Sequence, residues 1–252
     1  MDFKQKLKEK KLTVGSWLSI ANPAVAEIMA KAGFEWLAID MEHSSLSSDQ
    51  CQELIRVIDL CGVVPLVRVG ANDALLIKRA MDAGAHGVIV PMVNTAEEAK
   101  QAVSYVKYPP EGKRGVGLSR AQGYGTNFAA YKDWVKEKSI VVVQIEHIDA
   151  ANELENILSV DGVDAFMVGP YDLSGSLGIP GQFDDKRIKD VMKKMAAVFQ
   201  TKNISAGYHV VSTDERLVQK KIKEGYSFIA YGVDFLFLGD SARAGLRILK
   251  QK

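Results

Sequence analysis

The chain has 252 residues, of which 47% are hydrophobic and 25% charged, the ordinary balance of a globular protein with a sizeable core. Its formal net charge of +1 lacks the basic excess that is typical of nucleic-acid-binding proteins. Its N-terminus is too charged for a signal peptide, and no apolar run reaches the roughly 18 residues of a membrane helix, so we expect a cytoplasmic protein with neither nucleic-acid nor membrane partners.

Apolar runs alternate with helical patterns along the whole chain. After a short amphipathic helix, runs typical of buried strands begin at Val14, Trp36, Val64, Val88, Val141, Phe166, Ile204 and Phe228. Helical patterns, several with N-terminal cap signals, follow these strands. Eight strand and helix units in about 250 residues predict an α/β fold, a single (β/α)₈ TIM barrel with an N-terminal helix, as one domain over residues 1–252.

A doubly wound open sheet is the alternative fold. It would normally carry a phosphate loop at its first turn, but this turn reads SIANPA, so we expect no nucleotide cofactor. One segment, residues 108–134, is too long for an ordinary connection. We interpret it as an irregular excursion that is functional or engages a partner.

Two predicted strands are followed directly by acids. The run VVVQI stops at Glu146, and AFMVG is followed at once by Pro170, Tyr171 and Asp172. Because the carboxyl ends of parallel strands meet at one edge of a sheet, we expect Glu146 and Asp172 to share a divalent cation. Two carboxylates suit Mg²⁺ or Mn²⁺, whereas a zinc site would need more His or Cys.

Other strand ends carry further candidates for chemistry. Arg68 ends the third strand and offers a rigid fork of donors for a carboxylate or an enolate oxygen. His43 follows the second strand beside Asp40 and could move a proton near neutral pH. The barrel fold would bring all three to the same mouth as Glu146.

Each candidate also has a structural interpretation. Acids after strands, such as Asp40 and Asp172, often cap the next helix. Arg68 could form a salt bridge at the rim, and Trp17 belongs to the core unless it lines the mouth. For His209, after the seventh strand, a surface position is slightly favoured.

Several long motifs, in order, resemble the metal-dependent class II pyruvate aldolases of the HpcH/HpaI family. They cover almost the whole chain: DMEH at 40–43, IKRAMDAGAHGVIVPMVNTAEEA at 77–99, YPPEGKRG at 108–115, QIE at 144–146 and VGPYDLS at 168–174. The resemblance implies a carbon–carbon lyase that reversibly cleaves a 4-hydroxy-2-keto acid to pyruvate and an aldehyde through a metal-stabilised enolate. The keto acid would be a 2-keto-3-deoxy sugar acid or a 4-hydroxy-2-oxo diacid.

The resemblance also implies roles for individual residues. Glu146 and Asp172 would bind the ion, which is Mg²⁺, Mn²⁺ or, as a related option, Co²⁺. Gln144 and the backbone amides around Tyr171 and Asp172 would hold the pyruvate carboxylate, with Trp17 as a further substrate contact at the mouth.

By the same resemblance, Arg68 would stabilise the enolate. His43, oriented by Asp40, would serve proton transfer through a water on the ion. Such enzymes use no Schiff-base lysine, and neither VVVQIE nor DAFMVG contains one.

Members of this family are homo-oligomers, so the resemblance implies a trimer or hexamer with the C-terminal helix exchanged between subunits. An acid matching Asp82 reaches a neighbouring active site in them. Met41 and Tyr171 stand where many of these aldolases have Gly and Ala, and we expect the larger side chains to narrow or redirect the aldehyde pocket.

Three alternatives remain open from the sequence. The same enolate chemistry would serve oxaloacetate decarboxylation, and a related barrel serves citryl-CoA or malyl-CoA lyases, although no basic segment for CoA phosphates is evident. The third alternative is a barrel kept as a binding module without catalysis. The aldehyde partner is not encoded in any motif, because loops and a second subunit would form its pocket.

Overall fold

The computed structural model describes residues 1–250 as a closed barrel of eight parallel strands. The strands are β1 Thr13–Leu18, β2 Trp36–Asp40, β3 Val64–Arg68, β4 Gly87–Val90, β5 Ile140–Ile145, β6 Ala165–Val168, β7 Ser205–Val210 and β8 Phe228–Val233. Each strand pairs with the next one in the chain, and β8 pairs with β1 to close the barrel. The predicted TIM barrel is confirmed, and each strand begins within one residue of its predicted apolar run.

Helices connect the strands on the outside of the barrel. They are α1 Phe3–Lys8, α2 Pro23–Lys31, α3 Ser48–Leu60, α4 Ala74–Asp82, α5 Ala96–Val106, α6 Phe128–Lys138, α7 Ile148–Asn152, α8 Leu154–Ile157, α9 Pro170–Ser176, α10 Lys186–Thr201, α11 Glu215–Lys223 and α12 Asp234–Lys250. Capping boxes at Ser47 and Thr95 start α3 and α5 by satisfying backbone donors that a helix leaves free. Between residues 1 and 250, no helix has both the length and the apolarity needed to cross a membrane.

Strand side chains alternate between the barrel interior and the layer under the helices. Trp36, Ala38 and Leu66 belong to the interior cluster, whereas Leu37 and Ile39 pack with the helices. All five are fully buried, so the residues at the strand ends stand on a rigid base.

The excursion at 108–134 is only partly irregular, which corrects the sequence interpretation. A short 3₁₀ helix spans Arg120–Gln122, and α6 begins at Phe128. The aromatic residues Phe128, Tyr131 and Trp134 recur at helical spacing, and they pack in a small cluster of their own. The helix α6 is short, and the side chain of Asn127 at its N-cap makes no hydrogen bond in the described chain, so the sequence gives only a weak helix signal here.

Arg114 fastens this excursion to the end of α4. Its buried guanidinium donates to Asp82 at 2.5 Å and to the Tyr131 hydroxyl at 3.2 Å, and it lies 4.7 Å from the centre of the Tyr108 ring. Asp82, which the resemblance assigns to a neighbouring active site, therefore has an ion-pair partner in its own chain.

The last helix, α12, leaves the barrel after β8. Its main contacts within the chain are with β8 and β1. Several large apolar side chains along it are exposed: Phe235, Leu238, Leu246, Ile248 and Leu249. An exposed apolar surface of this size is typical of an interaction site.

Candidate active site

Arg68 and Asp40 form a two-pronged ion pair at the carboxyl ends of β3 and β2. The register of these strands places the two residues opposite each other. Nε of Arg68 donates to Oδ1 of Asp40 at 3.0 Å, and Nη2 donates to Oδ2 at 2.7 Å. Burial raises the pKa of Asp40, but the hydrogen bonds and charge of Arg68 outweigh it and hold that pKa below its ordinary value. The Arg68 fork is thus fixed in one orientation.

The Asp40 carboxylate also organises the turn that carries His43. Its Oδ1 accepts from the backbone N–H groups of Glu42 at 3.0 Å and His43 at 3.1 Å. Within residues 1–250 it makes no hydrogen bond to the His43 imidazole, which is 64% exposed and lies 3.8 Å from Glu42. The expected orientation of the imidazole by Asp40 is therefore wrong: Asp40 positions Arg68 and the backbone of the turn.

Glu42 is a second acid beside Arg68, and sequence reasoning assigned it no role. Its Oε2 lies 3.3 Å from Nε of Arg68. Burial raises the pKa of Glu42 despite this neighbour, and the charge of Glu146 acts in the same direction as burial. The available signal was its position in the motif DMEH, between Asp40 and His43.

Glu146 lies buried directly after β5, and its carboxylate accepts two hydrogen bonds. Oε1 accepts from the backbone N–H of Met92 at 2.7 Å, and Oε2 accepts from Nε2 of Gln144. Burial raises the pKa of Glu146, these hydrogen bonds oppose the rise, and the nearby charge of Asp172 adds to it. Oε1 of Gln144 is buried without a hydrogen-bond partner in the described chain. A ligand that completes this site would satisfy that oxygen.

Asp172 lies in the first turn of α9, directly after β6. Its side chain is exposed at the barrel mouth, in contrast to the buried Glu146. Pro170 occupies the first helical turn, and no side chain of the described residues caps the helix at Gly169. The N–H groups of Tyr171 and Asp172 therefore have no partner inside the helix and are available to an anionic ligand.

A cavity of about 290 Å³ occupies the barrel mouth. It is lined by six of the predicted site residues, namely Trp17, His43, Arg68, Gln144, Tyr171 and Asp172. Asp40 and Glu146 do not line the cavity, but they hold Arg68 and Gln144 in its lining through hydrogen bonds. Over residues 1–250 no three His, Cys, Asp or Glu side chains are grouped to hold a metal. The carboxylates of Glu146 and Asp172 would suit a hard divalent cation that takes its remaining ligands from water and substrate.

Trp17, Arg68 and His209 stack across the mouth. The Arg68 guanidinium lies 4.4 Å from the centre of the Trp17 ring, and the rings of Trp17 and His209 are 5.2 Å apart. Nε2 of His209 lies 3.2 Å from the carbonyl oxygen of Gly232. The surface position favoured for His209 is wrong, because this residue points to the barrel interior from β7 and lines the cavity.

His209 should make the protein less stable in acid. Burial lowers the pKa of His209 to about 3, and the charge of Arg68 acts in the same direction. The folded state thus keeps the imidazole neutral, whereas the unfolded chain binds a proton below about pH 6.5, so stability falls as the pH drops from there toward 3.

We expect the wild type to lose about 2 kcal/mol more unfolding free energy than His209→Gln between pH 7 and pH 4, a value reduced because the ring is partly accessible. Urea unfolding at each pH measures this difference. Equal losses of unfolding free energy in the two proteins would show that the pKa of His209 is not lowered in the folded state.

Gly169 provides the space in which Glu146 and Gln144 meet. A Cβ at this position would lie 2.8 Å from Oε2 and 2.9 Å from Cβ of Glu146, and 3.3 Å from Nε2 of Gln144. The backbone of Gly169 has φ −96°, so the requirement for glycine is steric.

We therefore expect Gly169→Ala to displace Glu146 and to weaken Mn²⁺ binding by about 10- to 100-fold, as loss of support around a ligand commonly does. Calorimetric titration with Mn²⁺ measures the affinity. Gly175→Ala is the matched control, since a Cβ at Gly175 meets nothing within 4 Å. Equal affinities in the two variants would contradict the steric argument.

The two residues expected to reshape the aldehyde pocket lie in different places. Met41 lines a small cavity on the outer side of the strands with Cys51 and Val67, so the expectation that it narrows the mouth is wrong. Tyr171 is exposed at the mouth, and its ring packs edge-on against Phe183 at 4.9 Å. Tyr171 alone of this pair can affect a ligand in the mouth.

Comparison with known proteins agrees with this geometry. Residues 13–239 match the family described as HpcH/HpaI aldolase/citrate lyase. The chain is 36% identical to the hydroxypyruvate/pyruvate aldolase of Sagittula stellata over 96% of this chain and 95% of that protein. It is 37% identical to the 4-hydroxy-2-oxovalerate aldolase of Novosphingobium aromaticivorans over 99% and 95%, respectively.

Among solved structures, an HpcH/HpaI aldolase/citrate lyase family protein from Burkholderia cenocepacia J2315 superimposes with a TM-score of 0.93. It is 31% identical, and the match covers 98% of each chain. The resemblance seen in the sequence motifs is thereby confirmed, and with it the enzyme class, a carbon–carbon lyase of the aldolase type. The chain belongs to the HpcH/HpaI aldolase/citrate lyase family.

Proposed function

We propose that this protein is a divalent-metal-dependent aldolase that reversibly cleaves a 4-hydroxy-2-keto acid to pyruvate and an aldehyde. The observation that carries the proposal is the pair Glu146 and Asp172, which follow adjacent strands and whose charges act on each other, beside the fixed Arg68 fork. The names of the relatives, a hydroxypyruvate/pyruvate aldolase and a 4-hydroxy-2-oxovalerate aldolase, support the same reaction class.

The charges at the mouth suit a cation. The carboxylates of Asp40, Glu42, Glu146 and Asp172 lie around the single guanidinium of Arg68. Four acids against one guanidinium leave an excess of negative charge, and a neighbouring carboxylate adds to burial in raising the pKa of Glu42 and of Glu146. Glu146 and Asp172 would hold Mg²⁺, Mn²⁺ or Co²⁺ through hard oxygen ligands. A bound ion supplies Lewis-acid polarisation of the keto group.

The binding groups for the keto acid come from the chain itself. Gln144, whose Oε1 has no partner in the described chain, would contact the keto acid, and the N–H groups of Tyr171 and Asp172 would bind its carboxylate. Trp17 would form the apolar wall beside them, since it lines the cavity while 98% of it stays buried in the core.

Arg68 and His43 would serve the reaction. Arg68, held by Asp40, would donate hydrogen bonds to the oxygen that becomes negative in the enolate, without having to reorganise during the reaction. His43 at the exposed rim would relay the proton between the 4-hydroxyl and solvent. The eight strands contain no lysine that could point into the barrel and form a Schiff base, which favours the metal route.

Pyruvate release from a racemic 4-hydroxy-2-keto acid tests the proposal. Chelation should abolish it, and added Mg²⁺, Mn²⁺ or Co²⁺ should restore it. Turnover that survives exhaustive chelation would contradict a metal-dependent aldolase. Oxaloacetate, assayed in parallel, distinguishes a decarboxylase that forms the same enolate.

We also propose that the protein is a homo-oligomer, a trimer or hexamer, in which α12 packs on a neighbouring subunit. The exposed apolar side chains of α12, among them Leu238 and Ile248, support this arrangement. Light scattering of the purified protein measures the molar mass, and a monomer would contradict the proposal.

A further inference from the structure

A second cavity, of about 600 Å³, lies between α10 and α11. It is larger than the cavity at the mouth and adjoins it, because Pro170, Tyr171, His209 and Val211 line both. The closely packed helix layer of a barrel leaves no such space by default. Tyr171, which is exposed, lies at the boundary between the two cavities.

The upper part of this cavity is apolar. Phe183, Met192 and Leu217 line it, and Phe183 holds the ring of Tyr171 edge-on at 4.9 Å. The side chains around it suit an apolar or aromatic body of a ligand, because such surfaces exclude water without fixing a particular functional group.

Two tyrosine hydroxyls in the inner part of the cavity have no hydrogen-bond partner in the described chain. Tyr226 is only 3% exposed, yet its hydroxyl has no hydrogen-bond partner among residues 1–250. Its ring packs edge-on against that of Tyr208 at 5.2 Å, and the Tyr208 hydroxyl also lacks a partner in the described chain. Both hydroxyls are therefore free to donate to a ligand or a water in the cavity.

Charged side chains of both signs lie near these hydroxyls, and the charge of Glu224 adds to burial in raising the pKa of Tyr208 and of Tyr226. Nζ of Lys221 lies 4.1 Å from the centre of the Tyr208 ring and donates to Glu224 at 2.7 Å. Lysines outnumber acids along the cavity, which is lined by Lys189, Lys193, Lys220 and Lys221 and by Asp184 and Glu224. Burial raises the pKa of Tyr208 to about 12 and raises that of Tyr226, so both phenols remain protonated donors. The two phenol donors and the excess of lysines over acids along the cavity together favour an anionic group.

We propose that this cavity is the subsite for the far end of the aldehyde, and that it takes an elongated aldehyde whose apolar body ends in an anionic group such as a carboxylate. The inference rests on the proposed aldolase function. The carbonyl carbon would stay at the mouth, where the new bond forms to C3 of pyruvate. The proton that leaves C3 is balanced by the proton that the new alkoxide gains. The anionic end would accept hydrogen bonds from Tyr226 and Tyr208 beside Lys221.

Aldol addition of pyruvate to matched aldehydes tests this subsite. With 8-oxooctanoate, octanal, 4-oxobutanoate and glycolaldehyde as acceptors, we expect kcat/KM to be highest for 8-oxooctanoate, by about tenfold over octanal. Equal values for 8-oxooctanoate and octanal, or a preference for 4-oxobutanoate over 8-oxooctanoate, would overturn the inference.

Two variants locate the effect. Tyr226→Phe should lower the ratio of kcat/KM for 8-oxooctanoate to that for glycolaldehyde by about tenfold, because a hydrogen bond to a charged group is lost. Met192→Trp, which fills the cavity, should lower the same ratio. Tyr124→Phe removes an exposed hydroxyl elsewhere and is the matched control. An unchanged ratio in both cavity variants would place the anionic end elsewhere.

A binding experiment separates this inference from the proposed function. If no aldehyde reacts with pyruvate, the aldolase proposal fails, but 8-hydroxyoctanoate can still be titrated into the metal-loaded protein by calorimetry. About tenfold tighter binding to the wild type than to Tyr226→Phe would support the subsite, and equal affinity would overturn it. If octanoate, which has no group for the mouth, binds as tightly as 8-hydroxyoctanoate, the cavity holds a separate ligand and the inference is overturned.

Discussion

Replacing Glu146 by glutamine is expected to lower metal-dependent pyruvate release by a factor of about 10³ or more. The change removes one of the two charged ligands of the proposed cation, and the lost stabilisation of the developing enolate is about 4 kcal/mol. Glutamine keeps the size of the side chain, and its carbonyl oxygen can still accept from the N–H of Met92. The amide of Gln144 can rotate, since its own Oε1 has no partner in the described chain, and can then accept from the new amide. The fold should therefore survive.

Two measurements separate loss of the ion from loss of the fold. Calorimetric titration with Mn²⁺ should show no saturable binding to Glu146→Gln, while its urea midpoint stays close to that of the wild type. Glu155→Gln makes the same chemical change on the exposed surface of α8 and should leave binding and turnover unchanged. Wild-type turnover in Glu146→Gln would remove the basis of the metal site.

The positions of the two proposed metal ligands could be predicted from the sequence, whereas the contacts around them could not. Glu146 follows the run VVVQI directly, and Asp172 follows the run AFMVG after Pro170 and Tyr171. Apolar runs of this kind fix both the strand and its carboxyl end. The orientation of residues beyond a strand end depends on turn geometry. For this reason Asp40 was correctly placed at the mouth but paired with His43 instead of Arg68.

Strand register and side-chain direction explain two further differences between the sequence predictions and the structure. Arg68 faces Asp40 because β2 and β3 align residue for residue. The register between two barrel strands cannot be predicted from the sequence of either strand alone. His209 points inward because β7 alternates Gly207 and His209 inside with Tyr208 outside. Because β7 contains a glycine and several polar residues, its sequence lacks the alternation of apolar residues from which the inward face is normally predicted.

Arg68→Lys is expected to slow the exchange of the pyruvate methyl protons with solvent by about 10²- to 10³-fold. Lysine keeps the positive charge beside Asp40 and so avoids leaving a buried carboxylate unpaired, which alone would cost roughly 3 to 5 kcal/mol. It lacks the planar fork, and one ammonium cannot hold both oxygens of Asp40 and also present a fixed donor to the enolate oxygen. The flat contact of the guanidinium with the Trp17 ring would also be lost.

Proton NMR of pyruvate in D₂O with Mg²⁺ and the enzyme measures this exchange directly, without any aldehyde. The readout therefore reports on enolate formation and not on the acceptor pocket. Arg56→Lys, on the exposed face of α3, is the matched control and should exchange at the wild-type rate. A rim salt bridge with only a structural role predicts the opposite pattern: a lowered urea midpoint for Arg68→Lys with exchange at the wild-type rate. That pattern would remove Arg68 from the reaction and leave the proposed cation to stabilise the enolate.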